Sequence, residues 1–557
     1  MINLRDFISA LREEDEVLDI RCPVDPYLEI AEIHRRVALE NGPALFFHNV
    51  KGSSFPVVTN LFGSKKRIDI AFANRPDIVI RDLVETMTGE FPPKLSTLWK
   101  KRHSLKQIKS LGTKKRFRAP VMECSGDDLE KLPLLQLWPM DGGHFVTLPL
   151  VYTEPIDGGS PNLGMYRIQR YSKNRTGLHF QIQKGGGFHF HEAEKQNRAL
   201  PVTIFIGGPP ALILSAITPL PENVPEILIA GLMQGKKLDT VRCRETTHPL
   251  IGECEFALVG EAPPHVREPE GPFGDHYGYY SLKHDFPTFN LKKIYHRKDA
   301  IYPATVVGKP RQEDFYIGDY LQDLLSPIFP IVMPGVKKLW SYGETGFHSL
   351  SAAVVKERYY RECMTSAFRI LGEGQLSLTK FLLLTDQDVD VRDFRAVLTT
   401  ILERFRPETD LFIFANLSLD TLDYTGPELN KGSRGIMLGM GEKIRDLPTS
   451  IRAENAKPFC PGCLVVQDEV DFSKFSDWPL VVLVDNVDAA LKEFLWTVFT
   501  RFEPAADIQS RAKVFRHHLS YELPIVIDAR MKPSYPPVVE CDPATEKLVS
   551  ERWKSYS

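Results

Sequence analysis

Two carboxylates and an aromatic run occur together in the stretch Glu270-Gly-Pro-Phe-Gly-Asp275-His-Tyr-Gly-Tyr-Tyr280. The glycines and the proline between the carboxylates favour a tight turn, which can direct Glu270 and Asp275 into one space. The aromatic neighbours supply a partly dry wall, and a dry environment raises the pKa of a carboxylic acid and suits it to proton transfer. An acidic surface loop is the alternative that this stretch alone leaves open.

A second group of polar residues precedes these carboxylates. The motif Asn162-Leu-Gly-Met-Tyr-Arg167 carries an amide and a guanidinium at an odd offset. A flat strand would place them on opposite faces, so both can face inward only if a bulge at Gly164 intervenes. Further along, Lys184 is followed by three glycines, which let the backbone approach a phosphate. A hairpin turn is the alternative interpretation of that glycine run.

Three side chains that are distant in sequence have the chemistry of a metal site. Asn162, His179 and Glu226 offer an amide oxygen, an imidazole and a carboxylate, a set that suits manganese or magnesium. Glu226 also lies in the first turn of a predicted helix, where the helix dipole stabilises an acid without any metal. His189 and His191 alternate like two ligands on one face of a strand, but two surface histidines are the simpler interpretation.

The elements that must position these residues divide the chain into three parts. Residues 1–115 alternate helical and strand patterns and predict an α/β domain. The lysine-rich stretch that reaches Phe117 predicts a linker after it. Residues 116–325 contain short strands with many glycines and prolines, which indicates a barrel or a packed antiparallel sheet. Residues 326–557 return to an α/β pattern, and their last forty residues predict an extended tail. Predicted elements that bear on the site or on this division are strands at Gly164–Arg170, Leu178–Gln183 and Ala211–Ser215, a helix at Pro225–Gln234, and buried parallel strands at Phe381–Thr385 and Leu411–Ala415.

Composition excludes several classes of protein. The 557 residues carry 69 basic and 72 acidic side chains, a net charge of −3, which gives no electrostatic case for nucleic acid as a partner. No apolar run approaches the roughly twenty residues that span a bilayer, and the first residues lack the pattern of a signal peptide. Eight scattered cysteines fit a reducing cytosol, so a cytoplasmic protein is predicted. The pair Cys460-Pro-Gly-Cys463 is compatible with a metal site, a redox pair or a turn with two unlinked thiols.

The motifs, taken in order, resemble those of the UbiD-type decarboxylases, which use prenylated FMN, over nearly the whole chain. The segments that carry this resemblance are Asn162–Arg167, His179-Phe-Gln-Ile-Gln-Lys-Gly185, Ala216-Ile-Thr-Pro-Leu-Pro221 with Glu226, and Glu270–Asp275. The family's second imidazole is replaced by Gln183, and its tryptophan by Phe180. The resemblance implies an α+β multidomain fold: an N-terminal α/β domain (1–115), a central FMN-binding split β-barrel-like domain (116–325), and a C-terminal α/β oligomerisation domain with an extended tail (326–557).

The resemblance also implies a role for each matching residue. Asn162, His179 and Glu226 would bind Mn²⁺ or Mg²⁺ next to the cofactor phosphate, with K⁺ close by, near residues 215–218. Arg167, Glu270 and Asp275 would form the catalytic network, in which Glu270 is tied to Arg167 and Asp275 is free to donate a proton. The residues implied to line prenylated FMN, beside the three metal ligands, are Met165, Tyr166, Arg167, Phe180, Gln181, Lys184 and Gly185.

The implied function is a reversible, non-oxidative decarboxylation of an aromatic acid, first of all a quinone precursor (a polyprenyl-hydroxybenzoate or a dihydroxynaphthoate). The implied partners are that acid, a flavin prenyltransferase that supplies the cofactor, and further copies of the chain in a dimer to hexamer. A lipidic substrate would bring the protein to a membrane surface. Four alternatives stay open. The first is an acrylic, cinnamic or other aryl acid as substrate, and the second is an FMN-dependent oxidoreductase, although no convincing GxGxxG motif lies between a predicted strand and helix. The third is a cupin-like metal protein built on His179, His189 and His191, and the fourth is a non-catalytic assembly subunit.

Overall fold

Two units make up the protein, Met1–Leu324 with Pro537–Ser557, and Leu325–Pro536. The computed structural model describes residues 1–88, 108–181, 184–220, 224–309, 311–467 and 474–556. The predicted linker falls largely outside these ranges.

The N-terminal part of the first unit is a small α/β layer. Its elements are α1 (Leu4–Glu13), β1 (Val17–Ile20), α2 (Glu29–Leu39), β2 (Ala44–Phe47), β3 (Val57–Thr59), α3 (Lys65–Phe72) and α4 (Arg75–Thr88). Helix α1 begins where the side chain of Asn3 accepts a hydrogen bond from the Asp6 amide, 2.8 Å away. The helix buries Leu4, Phe7, Ile8 and Leu11 on one face, the i, i+3, i+4, i+7 spacing of an amphipathic helix.

The central part of the first unit carries the polar motifs. Its strands are β4 (Thr113–Lys115), β5 (Cys124–Gly126), β6 (Phe145–Val146), β7 (Pro149–Thr153), β8 (Asn162–Gly164), β9 (Ile168–Ser172), β10 (Arg175–Gly177), β11 (Leu200–Ile206), β12 (Leu238–Val241), β13 (Leu250–Ile251), β14 (Phe256–Ala262), β15 (Arg267–Glu270), β16 (His284–His296) and β17 (Tyr302–Pro303). Its helices are α5 (Gly185–Lys195), α6 (Pro210–Ile217), α7 (Glu226–Gln234) and α8 (Glu313–Leu325).

Ten of these strands form one antiparallel sheet, in the order β6-β9-β10-β16-β14-β11-β7-β8, with β5 and β15 also paired to β16. The sheet curls into a half-barrel, as a split-barrel prediction requires. Strands β17, β3, β2 and β1 form a separate four-stranded sheet, so the N-terminal layer is completed by a strand from the central part. Strands β13, β12 and β4 form a third, smaller sheet.

Several local predictions for the central part are wrong. Residues 211–215 belong to helix α6, because a short apolar run that is buried all round has no period that separates strand from helix. The predicted strand at Gly164–Arg170 is broken between β8 and β9, which lie near opposite ends of the sheet. The predicted strand at Leu178–Gln183 has no strand structure in its described part, residues 178–181. The helix predicted at Pro225–Gln234 is present as α7.

The second unit contains two five-stranded sheets and a hairpin. Its strands are β18 (Val336–Ser341), β19 (Leu350–Val355), β20 (Phe381–Thr385), β21 (Leu411–Ser418), β22 (Lys431–Gly439), β23 (Ala456–Cys460), β24 (Cys463–Val466), β25 (Leu480–Leu483), β26 (Ile508–Gln509), β27 (Ala512–Phe515), β28 (His518–Tyr521) and β29 (Ile525–Asp528). Its helices are α9 (Phe329–Val332), α10 (Glu362–Leu371), α11 (Phe394–Leu402), α12 (Val487–Lys492), α13 (Phe494–Arg501) and α14 (Pro504–Asp507).

The sheet orders of this unit are β18-β19-β20-β22-β21 and β23-β24-β25-β29-β26, with β27-β28 as a separate hairpin. Strand β20 is parallel to both of its neighbours, as predicted. Strand β21 is an antiparallel edge strand whose second half is exposed, so the prediction of a buried parallel strand there is wrong.

The chain returns to the first unit after Pro536 and forms α15 (Pro543–Arg552). This helix packs on α2, where Glu29 accepts hydrogen bonds from the Arg552 guanidinium and from the Tyr556 hydroxyl, the latter at 2.7 Å. The segment before it binds the loop after Asp275: the Tyr280 amide donates to Pro537 O at 3.0 Å. The structure therefore differs from an extended tail on the C-terminal domain, because the buried Val549 and Tyr556 give this segment an apolar face to cover.

Candidate active site

The loop that carries Asp275 is held by backbone hydrogen bonds to buried side chains. Strand β15 ends at Glu270, and the chain then turns at Gly271, whose φ of 93° favours glycine. Asp141 fixes the next part of the loop: its Oδ1 accepts from the Gly274 amide at 2.7 Å. Its Oδ2 accepts from the amides of Leu137 and Trp138, at 3.0 and 2.9 Å. This buried carboxylate thus ties the residue before Asp275 to a separate loop.

Arg167 lies between the two carboxylates. Its Nε and Nη2 donate to the two oxygens of Glu270, at 2.8 and 3.1 Å, in a forked pair. Its Nη1 donates to Asp275 Oδ2, and its Nη2 also donates to Ser281 Oγ at 2.9 Å. The guanidinium lies over the ring of Phe273, 4.8 Å from its centre. One cation therefore contacts both carboxylates of the loop.

The electrostatic balance keeps Glu270 ionised. Burial raises the pKa of this carboxyl group, but Arg167 and His179 outweigh that effect and lower the pKa to about 2. His179 contributes through its Nδ1, which donates to Glu270 Oε2 at 2.9 Å. Glu270 is the fixed anion of the cluster at any ordinary pH.

Asp275 is also held as an anion, which differs from the expectation that it is free. Burial raises its pKa, but hydrogen bonds and charges from His276 and Arg167 bring the pKa well below its usual range. Its Oδ1 accepts from the His276 amide and from the ring Nδ1 of His276, both at 2.7 Å. The sequence offered no means of seeing this, because the contact arises from the shape of the turn.

His179 presents a nitrogen with the properties of a metal ligand. The hydrogen bond to Glu270 engages Nδ1, which leaves Nε2 as the ring nitrogen that could bind a metal ion. Nε2 is buried and has no hydrogen-bond partner within the described residues. Such an orphaned acceptor fits a metal ion that the resemblance implies.

Asn162, on β8, and Glu226, at the start of α7, are linked through Leu163. Glu226 Oε2 accepts from the Leu163 amide at 2.9 Å, and burial raises the pKa of this carboxyl group. Asn162 Nδ2 donates to the Tyr166 hydroxyl at 3.4 Å. No hydrogen bond of the described residues joins His179 to Asn162 or Glu226. Their donor set still fits a hard divalent cation, which would be what connects them.

The N-terminus of α5 has the features of a phosphate site. The helix begins at Gly185 without a side-chain cap, so its first amides and its dipole point toward this end. A Cβ on Gly185 would lie 2.2 Å from Asn162 Oδ1, and one on Gly186 would lie 2.8 Å from the Phe180 ring. The glycine run is therefore a helix start rather than a hairpin turn, and it lets the backbone approach a ligand beside Asn162.

The other residues predicted to line the cofactor lie around this helix start. Tyr166 and Phe180 are buried and pack edge to face, with ring centres 5.3 Å apart. Met165, Gln181 and Lys184 are half-buried. Gln183 and Pro221, which belong to the motifs of the resemblance, lie outside the described residues.

His189 and His191 do not form the ligand pair that a strand would give. Both lie on α5, where residues two apart point to different sides. His189 Nδ1 instead contacts the Thr153 hydroxyl at 2.8 Å, and His191 is exposed.

Three residues of the site were missed by the sequence analysis: Asp141, His276 and Ser281. Asp141 had a readable signal, an acid followed by two glycines after a buried tryptophan, but its three amide partners are separated from it by up to 133 positions.

Every helix within the described ranges is too short or too polar to span a bilayer.

Comparison with known proteins places the chain. Three family models match it, all described as parts of 3-octaprenyl-4-hydroxybenzoate carboxy-lyase: the N-terminal domain over residues 8–87, the Rift-related domain over 113–310 and the C-terminal domain over 315–439. The chain is 56% identical to a Chlamydia pneumoniae protein that is named as a subunit of 4-hydroxybenzoate decarboxylase, over 99% of this chain and 98% of that one.

Solved structures share the fold. The vanillic acid decarboxylase of Sedimentibacter hydroxybenzoicus, in its closed form, is 24% identical with a TM-score of 0.68, over 88% of this chain and 98% of that one. The UbiD-class enzyme HmfF from Pelotomaculum thermopropionicum, in complex with FMN, is 22% identical with a TM-score of 0.65, over 79% and 94%. These likenesses confirm the predicted α+β multidomain architecture. The chain belongs to the UbiD family of carboxy-lyases, as its motifs indicate.

Proposed function

We propose that this protein catalyses the non-oxidative, reversible decarboxylation of an aromatic carboxylic acid, with prenylated FMN as its cofactor. The observation that carries the proposal is the buried cluster in which Arg167 lies between Glu270 and Asp275. Decarboxylation leaves electron density on carbon, so the reaction needs an electron sink and then a proton; bound prenylated FMN supplies the sink.

Arg167 would bind the substrate carboxylate, and Asp275 would supply the proton. In the substrate-free protein the pKa of Asp275 is held low, so the group is ionised. A substrate carboxylate near Arg167 competes for the guanidinium and repels Asp275, and both effects raise the pKa of Asp275, so that it takes up a proton. Carbon dioxide leaves as a neutral molecule, so the electron pair of the broken bond stays on the substrate, where the bound cofactor would delocalise it. The carboxylate then no longer competes for Arg167, and protonated Asp275 would donate its proton to the substrate carbon, which neutralises that charge.

The remaining predicted residues have binding roles in this proposal. Asn162, His179 and Glu226 would hold Mn²⁺ or Mg²⁺, which the orphaned Nε2 of His179 supports. The start of α5 at Gly185, with Lys184 before it, would bind the cofactor phosphate. The residues that would contact the flavin are Met165, Tyr166, Phe180 and Gln181.

The substrate class in this proposal is a hydroxylated benzoic or naphthoic acid. The names of the Chlamydia pneumoniae relative and of the Sedimentibacter hydroxybenzoicus enzyme both refer to acids with a hydroxybenzoate nucleus. Quinone precursors, the polyprenyl-hydroxybenzoates and dihydroxynaphthoates, share that nucleus. A flavin prenyltransferase would supply the cofactor, and the protein would act as an oligomer in the cytoplasm.

The test is co-expression with a flavin prenyltransferase, mass spectrometry of the bound cofactor, and measurement of carbon dioxide release from a panel of acids. The panel contains 4-hydroxybenzoate, a prenylated 4-hydroxybenzoate, a dihydroxynaphthoate and cinnamate. Prenylated FMN with release from at least one hydroxylated acid supports the proposal, and release from cinnamate alone would move the substrate to the acrylic class. Unmodified FMN that NAD(P)H reduces, with no release from any acid, would overturn it in favour of an oxidoreductase.

A further inference from the structure

Cys460 and Cys463 lie opposite each other at the end of a β-hairpin in the second unit. They are cross-strand partners of β23 and β24. The two residues between them are Pro461 and Gly462, and the φ of Gly462 is 79°. Proline followed by a glycine with positive φ is the pattern of a type II turn, which closes the hairpin tightly. The turn thus fixes the two cysteines side by side.

The two sulfur atoms are not bonded to each other. Both cysteines are free thiols, and the Cys460 thiol donates a hydrogen bond to Pro461 O at 3.7 Å. Directly opposed residues of an antiparallel pair have Cα atoms about 4.5–5.5 Å apart. That spacing lies within the roughly 4.4–6.8 Å that a disulfide spans, so a bond between the sulfurs needs no rearrangement of the strands.

The surroundings make the two thiols unequal. The neighbouring Cys463 thiol lowers the pKa of Cys460, and Thr399 and the Arg395 guanidinium lower it further against the effect of burial. Burial raises the pKa of Cys463. Arg395 is fixed in place because it lies over the Phe459 ring, 4.0 Å from its centre. Cys460 is therefore the thiol that ionises and attacks first.

A metal site does not explain the pair. No third histidine, cysteine or carboxylate of the described ranges joins the two sulfurs in a cluster that could hold a metal ion. Two thiolates alone do not complete the four-coordinate sphere of a structural zinc site.

Both thiols are buried beneath the segment that covers the turn, so a small oxidant reaches them only when this segment opens. Leu447 lies over Gly462, where an added Cβ would be 2.8 Å from the leucine side chain, and Pro448 O accepts from the Gly462 amide at 2.9 Å. Residues 440–455 around these contacts have neither helix nor strand and are largely exposed. Such a segment opens at low free energy, which would admit a small oxidant to Cys460.

We propose that Cys460 and Cys463 form a reversible dithiol–disulfide site that is oxidised by low-molecular-weight disulfides of the glutathione class. The Cys460 thiolate attacks one sulfur of the oxidant, whose S–S bond breaks and releases one thiolate. Cys463 then loses its proton and attacks the Cys460 sulfur of the mixed disulfide, which expels the second thiolate. Two protein thiols are oxidised, and one small disulfide is reduced to two thiols. The site does not depend on the proposed decarboxylase activity.

The experiment exposes the full-length reduced protein to buffers with rising ratios of oxidised to reduced glutathione, followed by alkylation and peptide mass spectrometry. We expect the peptide with Cys460 and Cys463 to become two hydrogen masses lighter and to resist alkylation, reversibly on return to reduced glutathione. The unpaired Cys22 and Cys124 serve as internal references, which can form only mixed disulfides.

Two variants test the order of attack. The Cys463→Ser variant should accumulate a glutathione adduct on Cys460. In the Cys460→Ser variant, glutathione should modify Cys463 at least tenfold more slowly than it modifies Cys460 in Cys463→Ser. The proposal is overturned if both thiols of the wild-type protein stay open to alkylation at ratios that oxidise dithiothreitol, or if Cys463 reacts as fast without Cys460 as Cys460 does without Cys463. Zinc bound at one equivalent per chain and lost in Cys460→Ser would also overturn it. The wild-type measurement stands even where a variant fails to fold.

Discussion

Arg167 carries one positive charge between two ionised, buried carboxylates, so these three side chains together are one unit negative. Glu270 and Asp275 lie in contact with the same guanidinium, and neither can leave it without becoming an unpaired buried charge. A divalent cation at the Nε2 side of His179 would offset this surplus. The charge of the cluster and the orphaned Nε2 thus both support the proposed divalent metal ion.

Asp275→Asn tests the proton donor. The variant keeps the size of the side chain but cannot deliver a carboxylic proton, so we expect turnover to fall by about a hundred- to ten-thousand-fold with the cofactor still bound. Carbon dioxide release and the absorbance of the bound flavin are the two measurements. Glu268→Gln, the same chemical change on a half-exposed carboxylate of β15 that pairs with Arg175, is the matched control. Turnover within threefold of wild type for Asp275→Asn would exclude this residue as the donor.

Glu270→Gln tests the fixed anion through pH. The pKa of Glu270 falls from 4.5 to about 2 on folding, so its contribution to stability is complete above pH 4.5 and is lost as the pH falls toward 2. We expect the free energy of unfolding of wild type to exceed that of the variant by about 3 kcal/mol near pH 7, and the difference to shrink below pH 4.5. Urea unfolding at pH 7, 5, 4 and 3 measures it. A difference that does not change with pH would mean that Glu270 is not ionised through Arg167.

At the scale of elements, the turn after β15 determines where Asp275 points. Asp141 accepts hydrogen bonds from three backbone amides that belong to two loops. Burial raises the pKa of Asp141 to about 7 in spite of those hydrogen bonds. The turn is also packed against Trp138, because a Cβ on Gly274 would lie 2.1 Å from the indole ring. The position of the Asp275 carboxylate therefore depends on how closely Gly274 packs against Trp138.

Gly274→Ala should displace the turn without unfolding the protein. The new methyl group and the rigid indole cannot share the space, so Asp275 moves relative to Arg167, and we expect turnover to fall at least tenfold. Gly126→Ala is the matched control, since an added Cβ there meets nothing within 4 Å. Carbon dioxide release and the thermal unfolding temperature are measured for both. Equal activity of the two variants would show that the turn adapts.

Local chemistry explains which elements the sequence predicted. The turn between Glu270 and Asp275 was legible because glycine and proline restrict the backbone whatever the tertiary context. Residues 211–215 were not, since full burial erases the polar face that distinguishes a helix from a strand. The contact between Asp275 and Arg167 joins residues 108 positions apart. Only the assignment to a family could suggest it, and no local pattern encodes its geometry.

At the scale of the whole molecule, the first unit is built from both ends of the chain. Helix α15 packs on α2, and residues 537–539 bind the loop at residues 278–280 through Tyr280 N to Pro537 O and Val539 N to Gly278 O, both at 3.0 Å. The division into an α/β, a split-barrel and a second α/β domain could be predicted from the sequence. The return of the last segment to the first unit could not be predicted, because the prolines of this segment suggested an extended tail.

Val549→Asp tests this closure. Val549 is fully buried on α15, and an aspartate there would place a charge in the contact with the rest of the first unit. We expect a loss of about 3 kcal/mol in the free energy of unfolding of that unit. Hydrogen exchange should accelerate in α2, α15 and the loop at residues 273–281 and stay slow in β19, β20 and β22. Lys547→Asp, at an exposed site of the same helix, is the control. Unchanged exchange in the loop would mean that α15 does not support it.

The return of residues 537–557 to the first unit has a consequence for how the protein is made. The second unit, residues 325–536, is synthesised between the two pieces of the first. At about 5–20 residues per second, the ribosome needs roughly ten to forty seconds for that stretch. During this interval the surface of α2 and the loop after Asp275 stay uncovered, because residues 537–557 have not yet been synthesised. The first unit begins folding first and finishes last, so nascent chains of this protein should depend on holding chaperones until translation has passed Val549.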